Sequence, residues 1–442
     1  MAGVTGPAVA LFTRDLRVRD NPVLTAAHRA GGTVVPLFVL DEAILARREC
    51  PPNRAHFLAT ALSELDTELR ALGGRLVVRS GDVAGQVARV AAETGAATVH
   101  IAADVSAYSR GREERLRQRL ARDRRDLCVH QHSVTVLAPG ESTPAGRDHF
   151  AVFTPYFRRW TAAQRRAPLR APHHLELPAI DSGTLPRPGD LASGDRSPDL
   201  SVGGETTGRK MLRTWLSRGV TEYARDSDDL AADATSHLSP YLHFGCLSPA
   251  DLVRRTDEST AGGAAFLRQL AWRDFHHQVL AARPRAAWHD YRDREIRWRT
   301  DEQAVRAWSE GRTGYPIVDA GMRQLHAQGW MPNRARLIAA SFLTKTLRVD
   351  WRIGARHFLY WLVDADLANN QLNWQWVAGT GNDTRPNRVL NPLRQAERYD
   401  PDGTYVRRWI PELAHLEGRA VHRPWRSPVE NYPAPIIECP GM

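Results

Sequence analysis

Apolar positions fall into two regimes along the chain. Over the first 159 residues, short apolar runs rich in β-branched residues alternate with longer amphipathic stretches. Ala8–Thr13, Val34–Leu40, Arg75–Ser80, Thr98–Ala102 and Leu127–Val134 read as strands. Between them, Ala55–Leu72 and Val83–Glu93 read as helices, with Gly73-Gly74 and Gly95 where helix stops belong. Alternation at this spacing predicts a five-stranded parallel sheet covered by helices, a Rossmann-like α/β domain over residues 1–135. The first strand runs into Thr13-Arg14-Asp15 rather than a GxGxxG turn, so the usual dinucleotide site is not expected.

Residues 136–205 read as irregular, and Leu185–Gly204, rich in Pro, Gly, Ser and Asp, reads as a mobile connector. From about Thr206 the β pattern disappears. Leu337, Ala340, Leu343 and Leu347 recur at three- and four-residue steps, the period of a helix. Residues 206–442 are therefore expected to form a second, all-α domain. Tryptophan marks the same division, since all 13 lie at or after Trp160.

A length of 442 residues suits two cores rather than one. Hydrophobic residues at 42% and charged residues at 25% are those of a soluble globular chain, and no apolar run is long enough to span a bilayer. The N-terminus shows no signal-peptide pattern, and a cytoplasmic location is expected. Cys50, Cys128, Cys246 and Cys439 are far apart with no CxxC pair, so neither a disulfide framework nor a metal site is expected. The net charge of +10 comes from Arg, with Lys210 and Lys345 the only lysines. Guanidinium forks suit phosphate, but the surplus is spread over both halves and locates no nucleic-acid face by itself.

Four strings carry candidate chemistry. Thr235-Ser236-His237-Leu238-Ser239-Pro240 clusters hydroxyls and backbone N–H groups ahead of a helix, which serves either to cap it or to hold phosphate. In Gln269-Leu270-Ala271-Trp272-Arg273, helical spacing puts Gln269, Trp272 and Arg273 on one face. They suit a stacked base and its phosphate, or Trp272 simply packs a core. Pro332-Asn333 should open the helix that carries Leu337–Leu347, with Asn333 a candidate N-cap. Arg336 on that mostly apolar helix needs an anion, for which Asp364 is the candidate. Last, Asp364-Ala365-Asp366 and Asn370-Gln371-Leu372-Asn373-Trp374-Gln375-Trp376 mix carboxylates, amides and indoles, as a wet helix end or as the wall of a flat polar ligand.

Taken in order with Leu11-Phe12-Thr13-Arg14-Asp15-Leu16-Arg17, Asp20-Asn21-Pro22, Phe153-Thr154-Pro155-Tyr156 and Val406-Arg407-Arg408-Trp409-Ile410-Pro411-Glu412-Leu413, these strings resemble the photolyase/cryptochrome flavoprotein family, in its class I-like branch, over about residues 8–425. The resemblance implies an N-terminal α/β antenna domain and a helical domain holding FAD. It assigns Tyr223, Thr235, Ser236, Leu238, Ser239 and Arg273 to the FAD phosphates and ribityl chain. Asp364 and Asp366 go to the adenine–ribityl side and the ring edge, Arg336 to Asp364, and Asn370 to flavin N5. Trp374, Trp351 and Trp298 match the family's electron-transfer triad. Gln269, Trp272, Asn333 and Trp376 would meet a flipped lesion, and Arg385 and Arg388 the backbone of UV-damaged DNA.

The implied reaction is light-driven repair of cyclobutane pyrimidine dimers by an electron from excited FADH⁻, with no ordinary nucleophile or base. The implied enzyme is a deoxyribodipyrimidine photolyase acting as a monomer. Gln269 departs from the Glu that most such enzymes carry, and is more like the (6-4) photolyase and animal cryptochrome branches. Those branches place a His pair near Pro332-Asn333, which is absent. A (6-4) photolyase or a cryptochrome-like blue-light receptor is the alternative. Asp104-Val105-Ser106-Ala107-Tyr108-Ser109-Arg110 resembles the pattern for an 8-hydroxy-5-deazaflavin antenna more than the one for folate.

Overall fold

The computed structural model describes residues 6–45, 51–427 and 429–438. Cys50 and Cys439 lie outside them. Cys128 and Cys246 are free thiols, and no cluster of metal ligands occurs among the described residues.

Five strands form one parallel sheet in the order β3-β2-β1-β4-β5: β1 (Ala8–Phe12), β2 (Val34–Asp41), β3 (Val77–Gly81), β4 (Thr98–Ala102) and β5 (Asp126–His130). Burial of both faces explains the continuous apolar runs. Val9 and Leu11 of β1 face a core shared with Val87 of the Val83–Thr94 helix and Leu116 of the Ala107–Arg122 helix. Ala8, Ala10 and Phe12 point the other way, into a core that continues through Trp160 and Leu238 to Phe275 and Leu372 of the helical half. One face of the sheet therefore packs on the second domain.

The strands follow the sequence expectation closely, except that β5 stops at His130 rather than Val134. His132 takes a positive φ of 60°, and the Ser133 carbonyl accepts a hydrogen bond from Arg17 instead of a strand neighbour. After β5 no further strand occurs among the described residues, apart from isolated bridges of Glu176 with Thr33 and of Arg299 with Val349.

The connector departs from expectation. It contains a helix, Phe153–Ala162, whose buried Phe153, Tyr156 and Trp160 form an apolar stripe at three- and four-residue steps. The later stretch, expected to be mobile, lies along the Pro52–Ala71 helix. Asn53 donates to Ser197 Oγ at 3.0 Å and accepts from the Ser197 N–H at 2.7 Å, and Leu191 is buried. Asp274, at 2% exposure, joins connector to helix by accepting from the Val136 and Leu137 N–H groups and from Trp160 Nε1 at 2.9–3.0 Å.

The two domains interlock at Thr13–Arg17. The Leu16 N–H donates to the Phe244 carbonyl at 3.1 Å. Arg17, 1% exposed, donates to the carbonyls of Gly245 (2.9 Å), Ser133 (3.2 Å) and Asp20 (3.1 Å). Asn21 caps the Pro22–Gly31 helix through Val23 and Leu24, and its own amide donates to the carbonyls of Asp15 and Arg17. Gly245, at φ +69°, lies so close that a Cβ there would overlap the Arg14 carbonyl. Gly245→Ala is therefore expected to destabilise the protein by roughly 3 kcal/mol, from the left-handed backbone and the overpacked seam together. A lower denaturation midpoint at unchanged slope is the measurement.

Candidate functional site

Helical elements of the second domain surround a cavity of about 450 Å³, the size range of a small-molecule site. Three helices supply most of its chemistry. Gln269, Trp272 and Arg273 come from Ala261–Ala282, Asn333 and Arg336 from Asn333–Ser341, and Asn370, Trp374 and Trp376 from Leu367–Ala378. The last helix is capped by Asp366, whose carboxylate accepts the Asn369 N–H at 2.9 Å. Tyr223, Thr235, Ser236, Ser239, Asp364 and Asp366 complete the sequence-derived set in the wall.

Arg336 Nη2 lies 2.8 Å from Asp364 Oδ2, and its Nε donates to the Met331 carbonyl at 2.9 Å. The second oxygen of Asp364 is buried without a protein partner, as are Thr235 Oγ1 and His243 Nδ1, all on cavity-lining residues. Buried polar atoms are costly unless satisfied. These orphans therefore fit a ligand with its own donors and acceptors along its length. Asn370 Nδ2 donates to the Ala355 carbonyl at 3.0 Å and to Gln371 Oε1 at 2.9 Å. The Ala355 carbonyl only accepts, so the amide orientation is forced and Oδ1 is left as an acceptor.

Burial and charge tune the wall. Burial pushes Asp366 up, but the neighbouring His277 and Arg14 outweigh it and hold the carboxyl well below the usual range. Burial and the nearby Arg14 push His243 well below the usual imidazole value, and burial lowers His276 to about 4 although it bonds Asn369. Both imidazoles are thus neutral near pH 7. Tyr223 is raised to about 12 by burial and stays a hydroxyl donor.

Some sequence-derived residues are placed differently. The Leu238 side chain, 1% exposed, lies in the apolar core and does not line the cavity. Asn333 is the first helical residue rather than the N-cap. Pro332 takes the cap position with extended backbone, which frees the Asn333 side chain for the cavity. Arg273 spends two donors on the carbonyls of Val134 (2.6 Å) and Leu242 (3.4 Å). Trp272 gives one face to Phe153, stacked at 3.7 Å and 4°. Arg385 and Arg388 are exposed outside the cavity, with Arg388 5.5 Å over the Trp376 ring.

The three tryptophans read as a triad differ in burial and surroundings. Trp374 lines the cavity at 2% exposure. Gly354 of the Trp351–Trp361 helix abuts its ring, and a Cβ there would overlap the indole. One turn earlier on that helix, Trp351 is fully buried and donates from Nε1 to Asp290 at 2.9 Å. The Arg299–Val349 bridge lays the chain next to Trp298 along the approach to Trp351, and Trp298 is half-buried. His243, His276, Phe358 and Asn369, also in the wall, were not singled out from the sequence. Phe358 and His276 share helices with residues that were, so helical spacing held a signal for them.

The family model for DNA photolyase matches residues 8–174, and the model for the FAD binding domain of DNA photolyase matches residues 266–440. A deoxyribodipyrimidine photo-lyase of Streptomyces griseus is 57% identical over 98% of this chain and 96% of its own length. One from Agrobacterium fabrum is 36% identical over 98% and 95%. Among solved structures, a bacterial class III photolyase from Agrobacterium tumefaciens superposes with a TM-score of 0.91 at 33% identity, covering 98% of this chain and 95% of that one. A Synechocystis cryptochrome gives 0.90 at 29%, over 98% and 96%. With both its sheet domain and its cavity-bearing helical domain matched, the chain belongs to the DNA photolyase family.

Proposed function

We propose that the protein repairs cyclobutane pyrimidine dimers in DNA by light-driven electron transfer from FAD held in the helical cavity. One observation carries the reading. A single cavity joins Arg336–Asp364, Asn370 and Trp374 to Gln269, Trp272, Asn333 and Trp376. The first group suits a redox ring and the second a stacked, hydrogen-bonded base. When bound, reduced FAD supplies on blue-light excitation the electron that splits the dimer, and receives it back. The chain binds, orients and excludes water.

Thr235 Oγ1 and the free oxygen of Asp364 would take their missing partners from the cofactor, and Tyr223, Ser236, Ser239 and Arg273 stand along the same wall. Asn370 Oδ1 suits the N5–H of a reduced ring, and an amide there carries no acidic proton. Gln269 both donates and accepts toward a base edge. Trp272 and Trp376 wall a flipped dimer, whose poor stacking lowers the cost of extrusion. Arg385 and Arg388 neutralise backbone phosphates outside, which makes affinity fall with salt. Trp374, Trp351 and Trp298 pass a hole from the cavity toward the surface. A (6-4) photoproduct is the second reading and rests on Gln269 alone. A deazaflavin antenna is assigned to the Asp104–Arg110 string, which begins beyond β4 beside β1, where the strand order reverses and open α/β sheets bind ligands.

Blue light should remove a defined thymine cyclobutane dimer from DNA in the presence of photoreduced protein, with no loss in the dark. A flavin-loaded, photoreducible protein without repair would redirect the assignment to the (6-4) lesion or to a receptor. Trp298→Phe should slow photoreduction of oxidised FAD by at least about tenfold and leave repair by chemically reduced enzyme unchanged. Equal photoreduction in that variant removes the hole path. Chromophores released by denaturation should include a deazaflavin beside FAD, whereas a folate or a second FAD would refute that antenna.

A further inference from the structure

The polar contacts of Asp366 lead out of the helical domain. Its Oδ2 lies 2.5 Å from Nη2 of Arg14, which extends from the loop after β1 in the α/β domain. Arg14 Nη1 lies 3.3 and 3.4 Å from the two oxygens of Asp104, two residues beyond β4, and its Nε donates to the His243 carbonyl at 3.1 Å. All three guanidinium nitrogens are thus engaged. The other oxygen of Asp366 holds Asn369 twice, from the backbone at 2.9 Å and from Nδ2 at 2.7 Å. His277 Nε2 lies 3.3 Å from Asp366 Oδ2.

A seam strut needs none of this. Arg17, three residues on, anchors the same seam through neutral carbonyls alone. Arg14 instead bridges two carboxylates, one of them in the cavity wall and at the cap of the helix that carries Asn370 and Trp374. An uncompensated carboxylate in that wall opposes the arrival of an electron in the cavity. A guanidinium cancels that opposition, and its planar fork fixes the carboxylate's orientation as an ammonium cannot.

We propose, resting on the reading of the cavity as the FAD site, that Arg14 is a positioning residue for electron transfer: from the α/β domain it fixes the charge and orientation of Asp366, and through it the redox poise of the cavity and the register of the Leu367–Ala378 helix.

The test is the midpoint potential of FAD in the full-length flavoprotein, measured by equilibrium spectrophotometric titration. Arg14→Gln leaves Asp366 less compensated. The reduced cofactor then loses about tenfold in affinity relative to the oxidised one, a shift of ~30 mV to lower potential for a two-electron couple. Arg14→Gln combined with Asp366→Asn returns the potential toward the starting value, and Arg14→Lys recovers part of it. Asp104→Asn leaves more of the Arg14 charge for Asp366 and shifts the potential upward. That opposite sign decides the matter even where Arg14→Gln does not fold. An unchanged potential in Arg14→Gln and Asp104→Asn overturns the proposal. So does a fall in Arg14→Gln that the double variant does not recover, since a purely structural strut gives that result. Failure of the FAD reading is visible separately and first, as wild-type protein that takes up no flavin, and it overturns the proposal with it.

Discussion

The seam between Thr13–Arg17 and His243–Gly245 is the constraint on which the rest of the molecule depends. A positively charged side chain at 1% exposure is tolerated because Arg17 finds a carbonyl for each of its nitrogens. The backbone of Leu16 bonds Phe244 across the boundary, and Gly245 admits the Arg14 carbonyl where any side chain would block it. This contact turns one face of the parallel sheet toward the helices, so that Ala10 and Phe12 share a core with Phe275 and Leu372. Two domains by chain order are one packed body by contact.

The cavity inherits that rigidity. The Ala261–Ala282 helix is tied to the connector by Asp274, and the Leu367–Ala378 helix is capped by Asp366, itself held by Arg14. Both helices thus have buried charged residues fixing their position, while the residues between face the cavity with unused polar capacity. Placement is settled by contacts that reach beyond the cavity, to the connector and to the α/β domain, and recognition is left to groups in its wall, as expected of a site built on supporting contacts.

Periodicity made the architecture legible. Runs such as Val34–Leu40 are buried on both faces, and the switch to helical spacing after Thr206 matches the helix that begins at Glu205. Local chemistry was also legible where the need was local. Arg336 on an apolar helix demanded a carboxylate, and Asp364 stands 2.8 Å away. Gln269, Trp272 and Arg273 share a helical face and a cavity wall. What was not legible depends on distant partners. No pattern near Arg14 points to Asp366, 352 positions on, and Asp274 reads as an ordinary helix carboxylate until Val136 and Trp160 fold against it. The Phe153–Ala162 helix did carry an apolar stripe, but surrounding Pro and Gly residues masked it. Leu238 shows a different limit, since the resemblance that assigned it fixes a position in the chain and not where its side chain points.

Gly354 has a consequence of a different kind. Glycine inside a helix costs about 1 kcal/mol against alanine, and here it lets the helix backbone come to rest against the six-membered ring of Trp374. Electronic coupling through matter falls off steeply with each ångström of gap, and direct contact minimises the gap between that indole and the helix that carries Trp351. On the proposed hole path, the missing methyl group gives up a little folding stability for tunnelling distance, and packing density becomes a kinetic property of charge separation.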